Sequence, residues 1–169
     1  IADSYGVELN EITTFNSNKV VAGDTVVVPH AKPTSEKVAA YSGSNLPNLS
    51  GYFISPVASG WNWGELHDAN AVDVAAACGT PIVAAADGVV FSVGLPTNWN
   101  SGYGGFIRIE HPNGTKTLYA HNRENLVSVG ETVTRGEHIA NLGNTGRVSG
   151  VTGCHVHFGV AGAQNPLAR

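Results

Sequence analysis

Two alternating runs, Phe106–Glu110 and Thr115–His121, flank Asn113-Gly114, and no other stretch constrains the fold as much. Apolar side chains at every second position suit a strand with one buried face. Asn-Gly between two such strands tolerates the positive φ of a tight turn, so the segment specifies an antiparallel hairpin. A two-residue turn sets Glu110 opposite Thr117, Arg108 opposite Tyr119 and Phe106 opposite His121. Ile107, Ile109, Leu118 and Ala120 then form the core side, and His121 stands on the open face beside Tyr119 and Arg108. His111 abuts the turn and is expected to be exposed, with no role.

Further strand signals lie on both sides. Gly79-Thr80-Pro81 makes a turn, and Ile82–Val93 has the pattern of a strand pair folded about Asp87-Gly88. Within Leu66–Ala75, Val72 and Val74 alternate with Asp73. That puts a carboxylate on the face opposite the valines, where it needs a partner, and His67 in the preceding loop can reach the same place. In Gly153-Cys154-His155-Val156-His157-Phe158-Gly159, residues i and i+2 share a face about 6.5 Å apart along the strand. His155 and His157 then look into one site while Val156 and Phe158 turn into the core. Such a pair is a candidate for a transition metal, with two ordinary strand histidines as the alternative.

At 169 residues, 42% hydrophobic and 13% charged, the chain has the makings of one medium globular domain with a small appendage. Its 21 glycines and 8 prolines favour β structure with many turns. A formal charge of -4 gives no reason to expect nucleic acid as a partner, and no apolar run approaches the ~20 residues of a membrane span. A monomer is expected. The first residue is Ile1 and Met is absent, as in a processed piece of a longer chain. Cys78 and Cys154 are too few for a disulfide scaffold or a thiolate zinc site. Strand alternation turns Cys154 away from both histidines. A Cys78–Cys154 disulfide, implying an oxidising compartment, is the working expectation, with two separate buried thiols as the alternative.

Residues 1–30 have the pattern of a small α/β module. The order Y-G-V, F-N and V-A-G-D-T-V-V-V-P resembles the second half of a LysM repeat, a module that binds N-acetylglucosamine-containing glycans. That module's opening strand and the start of its first helix are absent. Residues 31–50, rich in Pro, Ser, Ala, Asn and Lys, look like an extended linker, and residues 51–169 form the main domain. Within it, Val127–Ala140 resembles the V-x-x-G-x-x-V-x-x-G-x-x-I turn of barrel-sandwich hybrid domains, without the lysine turn that biotin and lipoate carriers need. His138 in this stretch is expected to be exposed.

Taken together, H-x5-D at His67 and Asp73, G-T-P-I-V-A, Y-A-H ending at His121, and G-C-H-V-H-F closely resemble the lysostaphin-like, or LytM-type, peptidoglycan metalloendopeptidases over residues 52–161. The resemblance implies a mainly β, antiparallel two-sheet, barrel-sandwich-like domain in the cell envelope or outside a bacterial cell, with Zn2+ as cofactor and peptidoglycan as partner. It implies His67, Asp73 and His157 as metal ligands and His155 as general base. His121 becomes the group that orients water or stabilises the oxyanion. Tyr103 and Asn144, with Trp61, Asn98 and Trp99, lie in loops that are candidates to line a peptide groove, loop packing being the alternative for the aromatics. Most relatives have H-x3-D, so the chain has two extra residues after His67, and Asp68 competes with His67 as ligand. Cys154 replaces the usual proline before H-x-H. A non-catalytic relative that binds the wall or regulates another hydrolase is the second functional reading.

Overall fold

The computed structural model describes residues 46–62, 64–68, 70–148 and 153–169. The LysM-like segment 1–30 and the linker up to residue 45 lie outside the described residues. Among the described residues nine strands run in chain order: β1 (Ala71–Ala75), β2 (Pro81–Val83), β3 (Gly88–Gly94), β4 (Gly105–Glu110), β5 (Lys116–Asn122), β6 (Glu124–Asn125), β7 (Thr132–Val133), β8 (His138–Asn141) and β9 (His155–Ala161). They form a six-stranded sheet ordered β1-β9-β5-β4-β3-β7 and a three-stranded sheet ordered β2-β8-β6, with every pairing antiparallel. The main domain is therefore mainly β with antiparallel sheets, as expected. The described helical content is one short 3-10 turn, Asn100–Gly102.

Alternation explains which residues meet between the sheets. Val74 of β1, Val156, Phe158 and Val160 of β9, and Ile107 and Ile109 of β4 are buried in one cluster with Ile82, Ile139 and Leu142 from the small-sheet side, and Val72 of β1 is buried outside that cluster. Each such side chain contributes roughly 1.5–3 kcal/mol by leaving water. Tyr119 packs its ring 5.5 Å from that of Phe158 and accepts a hydrogen bond from the Ala85 N–H at its hydroxyl. Complete burial pushes the Tyr119 phenol up to about 12, so it stays protonated.

The hairpin register differs from the expected one by a residue. Glu110 pairs with Lys116, Arg108 with Leu118 and Ile107 with Tyr119. The turn holds three residues, Pro112, Asn113 and Gly114, closed by His111 N–H to Thr115 O, with Gly114 at φ +81° and the Asn113 side chain accepting from Thr115 N–H. A one-residue slip exchanges the faces. The core face of β5 is therefore Thr117 and Tyr119, and Leu118 looks outward.

His111 is also corrected: it is buried, not exposed. Its Nδ1–H donates to Asp87 O at 2.8 Å, its Nε2 meets the Thr117 hydroxyl at 2.9 Å, and its ring lies edge-on to Phe53. The Asp87-Gly88 hairpin does not form, because β2 and β3 belong to different sheets. Gly88 lacks the positive φ of a two-residue hairpin turn. A Cβ there would stand 2.5 Å from Glu110 O, so the glycine serves close approach to β4. Residues 84–86, all buried alanines, carry the chain across the core between the sheets.

Cys78, just after β1, and Cys154, at the foot of β9, are joined by a disulfide across a sequence separation of 76. A bridge closing so long a loop stabilises by about 2–4 kcal/mol. It ties together the two strands whose open faces carry Asp73, His155 and His157. Leu46–Ser50, assigned to the linker by composition, lie against this domain: Pro47 O accepts from Gln164 N–H, and Leu49 packs on the core.

Candidate metal centre

The site lies on the outer face of the six-stranded sheet, where β1, β9 and the end of β5 run side by side. Asp73 pairs directly with His157. His67 and Ala71 exchange backbone hydrogen bonds of 3.0 and 2.9 Å, so the chain doubles back between them. His67 thus stands opposite Ala71, and Asp73 is the next residue on the same face, a diagonal cross-strand neighbour. The x5 spacing is accommodated by this turn, in which Asn70 takes φ +75° and its side-chain amide donates to Val160 O and Ala163 O, both at 2.7 Å.

His67 Nε2 lies 3.0 Å from Asp73 Oδ1, and His157 Nδ1 lies 3.1 Å from the same oxygen. One ligand atom from each of the three residues falls within 4.8 Å of the others. Tetrahedral zinc with bonds of about 2.0–2.2 Å holds its ligand atoms about 3.3 Å apart, so this donor set of two imidazoles and one carboxylate fits that ion. Asp68 stands outside the group: its carboxylate meets His67 Nδ1 at 3.3 Å, an outer partner that orients the ring. Burial alone would raise the Asp73 carboxyl. The hydrogen bond from His157 and the charges of His155, His67 and His157 outweigh it and hold the group below its ordinary value.

His155 and His121 sit beside this cluster, with ring centroids 4.7 Å apart. Both are oriented by carbonyls. His155 Nδ1–H donates to Gly153 O at 2.6 Å and His121 Nδ1–H to Thr145 O at 2.8 Å. A carbonyl can only accept, so in the neutral rings Nε2 carries the lone pair. His121 reaches the open face through a β-bulge. Phe106 pairs with Ala120 but Gly105 with Asn122, leaving His121 as the extra residue at φ +68°. Burial is the main cause lowering His121 to about 4, against the Thr145 hydrogen bond, which raises it. His121 is therefore neutral at neutral pH and presents an acceptor.

Tyr103 lies 5.9 Å from His157, ring to ring, and its carbonyl accepts from His121 N–H. Asn144 is exposed and makes no hydrogen bond to a described residue; its neighbour Thr145 is the group that meets the site. Thr145 also accepts from Gly105 N–H and donates to Asn122 O, fixing the bulge from both sides. Gly104 and Gly146 have positive φ, and a Cβ on either would meet the other loop's backbone within about 2.5 Å, so only glycine lets these loops interlock. Thr145 and Asn70 have no catalytic residue type to mark them. The only sequence signal for Thr145 is the G-N-T-G loop leading into H-x-H.

Comparison with known proteins agrees with this geometry. Residues 67–168 match Peptidase family M23. The peptidoglycan DD-endopeptidase ShyC of Vibrio cholerae is 40% identical over 95 residues, 56% of this chain and 20% of the relative. The murein hydrolase activator NlpD of Salmonella dublin is 33% identical over 162 residues, 89% of this chain and 40% of the relative. A Pseudomonas aeruginosa structure assigned to peptidase M23 superposes with a TM-score of 0.55 at 29% identity, covering 76% of this chain and 50% of that one. The chain thus spans only a fifth to two fifths of the length of these curated relatives. With the family matched over the whole β domain from His67 onward, the chain belongs to peptidase family M23.

Proposed function

We propose that this chain is a zinc-dependent endopeptidase that hydrolyses peptide bonds in the stems or cross-bridges of bacterial peptidoglycan. The observation that carries the reading is the co-location of a three-ligand donor set with two further histidines whose Nδ1–H groups are held by carbonyls. His121 Nε2 has no hydrogen-bond partner among the described residues, and His155 Nε2 faces Asp73 Oδ2 at 3.7 Å. His67, Asp73 and His157 would hold the ion, which when bound supplies a Lewis acid and lowers the pKa of water to about 7. His155, aimed by Gly153 O, accepts the proton of the attacking water at Nε2 and returns it to the leaving amine. His121, neutral and fixed by Thr145, accepts a hydrogen bond from that water and orients it. It stabilises an oxyanion only after taking up a proton, because its Nδ1–H is already committed. Tyr103 forms the wall beside His157. The disulfide suits the oxidising cell envelope where such a substrate lies.

A second reading follows from a relative that aligns over 89% of this chain, an activator of murein hydrolases. Digestion separates the two. Zinc-loaded protein incubated with purified peptidoglycan is expected to release new amino groups, and chelated protein none. Stoichiometric zinc binding without new amino groups from any peptidoglycan type would sink the peptidase and favour the activator.

A further inference from the structure

From the metal cluster a groove of about 380 Å³ runs along the outer face of the six-stranded sheet. Its floor is built by cross-strand register. One row holds Phe106, Ala120, His157 and Asp73; the next, about 7 Å along the strands, holds Arg108, Leu118, Gly159 and Ala71. Gly159 leaves the second row without a side chain at its centre, which deepens the groove beside His157.

The charges along it are not even. Asp68, at the metal end, is anionic and largely exposed. Lys116, at the far end, is neutralised by Glu110 at 3.2 Å. Arg108 lies between them, with no carboxylate within ion-pair distance among the described residues. Its guanidinium carbon is 5.7 Å from the Tyr103 ring centroid and 5.1 Å from that of Phe106, so two aromatic faces hold the fork in place. Tyr103 is in turn 5.9 Å from His157. At ~3.4 Å per extended residue, Arg108 is no more than about three residues of bound peptide from the metal ligands. A seated, unpaired arginine in the groove of a chain of net charge -4 is a local reversal of the molecule's field, and a planar fork is matched to a carboxylate.

We propose that Arg108 is the specificity-determining residue of this groove and captures a free carboxylate of the substrate within about three residues of the scissile bond. The substrate class is then an anionic stem peptide, not an uncharged oligoglycine bridge. Asp68 repels the same carboxylate from the metal end and so fixes the direction in which the peptide lies. This rests on the peptidase reading for the cleavage it directs, but not for the binding.

The test uses the zinc-loaded 169-residue chain and matched peptide pairs that differ only in one carboxylate or carboxamide, placed in turn at each position within three residues of the scissile bond. Each is assayed as a cleavable substrate and as an uncleavable reduced-bond isostere whose equilibrium binding is measured. The acid is expected to bind about 10- to 50-fold more tightly than the amide and to show the same ratio in KM, with kcat little changed. Arg108→Ala is expected to erase that preference, Arg108→Glu to invert it and Arg108→Lys to restore part of it. Gly159→Val, whose added Cβ meets only ordinary contacts of 3.5 Å or more, should weaken acid and amide alike by filling the floor. Equal binding of acid and amide by the unsubstituted chain, or equal loss of both in Arg108→Ala, overturns the proposal. Cleavage without acid preference keeps the peptidase reading and defeats this one. Arg108-dependent acid binding without cleavage does the reverse.

Discussion

The β4–β5 hairpin carries a buried histidine near each end, and the two have opposite fates. His111, beside the turn, and His121, at the bulge, are 2% and 6% exposed. Each donates Nδ1–H to a backbone carbonyl at 2.8 Å, and burial lowers both below the ordinary imidazole value. The difference is Nε2. In His111 it is consumed by the Thr117 hydroxyl, in a chain of buried polar groups that continues to Tyr119 and Ala85. In His121 it has no hydrogen-bond partner among the described residues and shares its space with His155 and His157. Burial and a shifted pKa do not by themselves mark a working histidine; under the proposed function, the uncommitted nitrogen beside other titratable groups is what distinguishes His121.

Substitutions test that distinction, and His157→Ala sets its upper limit. Removing a ligand is expected to abolish stoichiometric zinc, read by metal analysis, and to lower peptidoglycan cleavage by more than about 10³-fold. His121→Ala should keep zinc and still lose roughly 10²- to 10⁴-fold in kcat, the range of a proton-handling group. A variant that loses zinc as well would make His121 part of the metal site and break the contrast from one side. His111→Ala should leave kcat within about twofold while lowering stability by about 1–3 kcal/mol in urea titration, because Asp87 O and the Thr117 hydroxyl lose their buried partner. A large loss of turnover in well-folded His111→Ala would break it from the other.

The smallest effect is in pH. Both rings are harder to protonate in the folded chain, so the unfolded chain takes up protons first as pH falls. Stability contributed by the neutral rings is fully present above about 6.5 and is lost as pH falls below it, for His121 as pH approaches about 4. Urea midpoints of zinc-free protein are expected to decline through that window, and less steeply in His111→Gln. An unchanged slope would mean that His111 is not held neutral by the fold.

Much of the site was legible because its residues announce themselves by type and period. Val72 and Val74 against Asp73, and Val156 and Phe158 against His155 and His157, assign faces on two strands without any knowledge of their neighbours. The hairpin shows where such reasoning stops. Its existence followed from alternation about Asn113-Gly114, but its register depended on whether Pro112 joined the turn. The choice between two and three loop residues exchanged Leu118 and Tyr119 between faces. Asp87-Gly88 failed for a related cause: a turn signal is local, whereas the partner of β3 is chosen by the sheet that can bury it.

Sequence alone determined that residues 106–121 form an antiparallel hairpin, that one strand carries two histidines on a single face, and that Asp73 opposes two valines, since strand period and turn type are properties of the chain itself. Tertiary structure decided how His67 reaches Asp73 across five residues, why Asp68 stays outside the donor group, and how His121 comes to the open face. Each depends on contacts between segments far apart in the chain: Asn70 with Val160, Thr145 with His121, and β9 seated between β1 and β5. No local preference encodes those contacts, because each forms only once a distant partner has been folded into place.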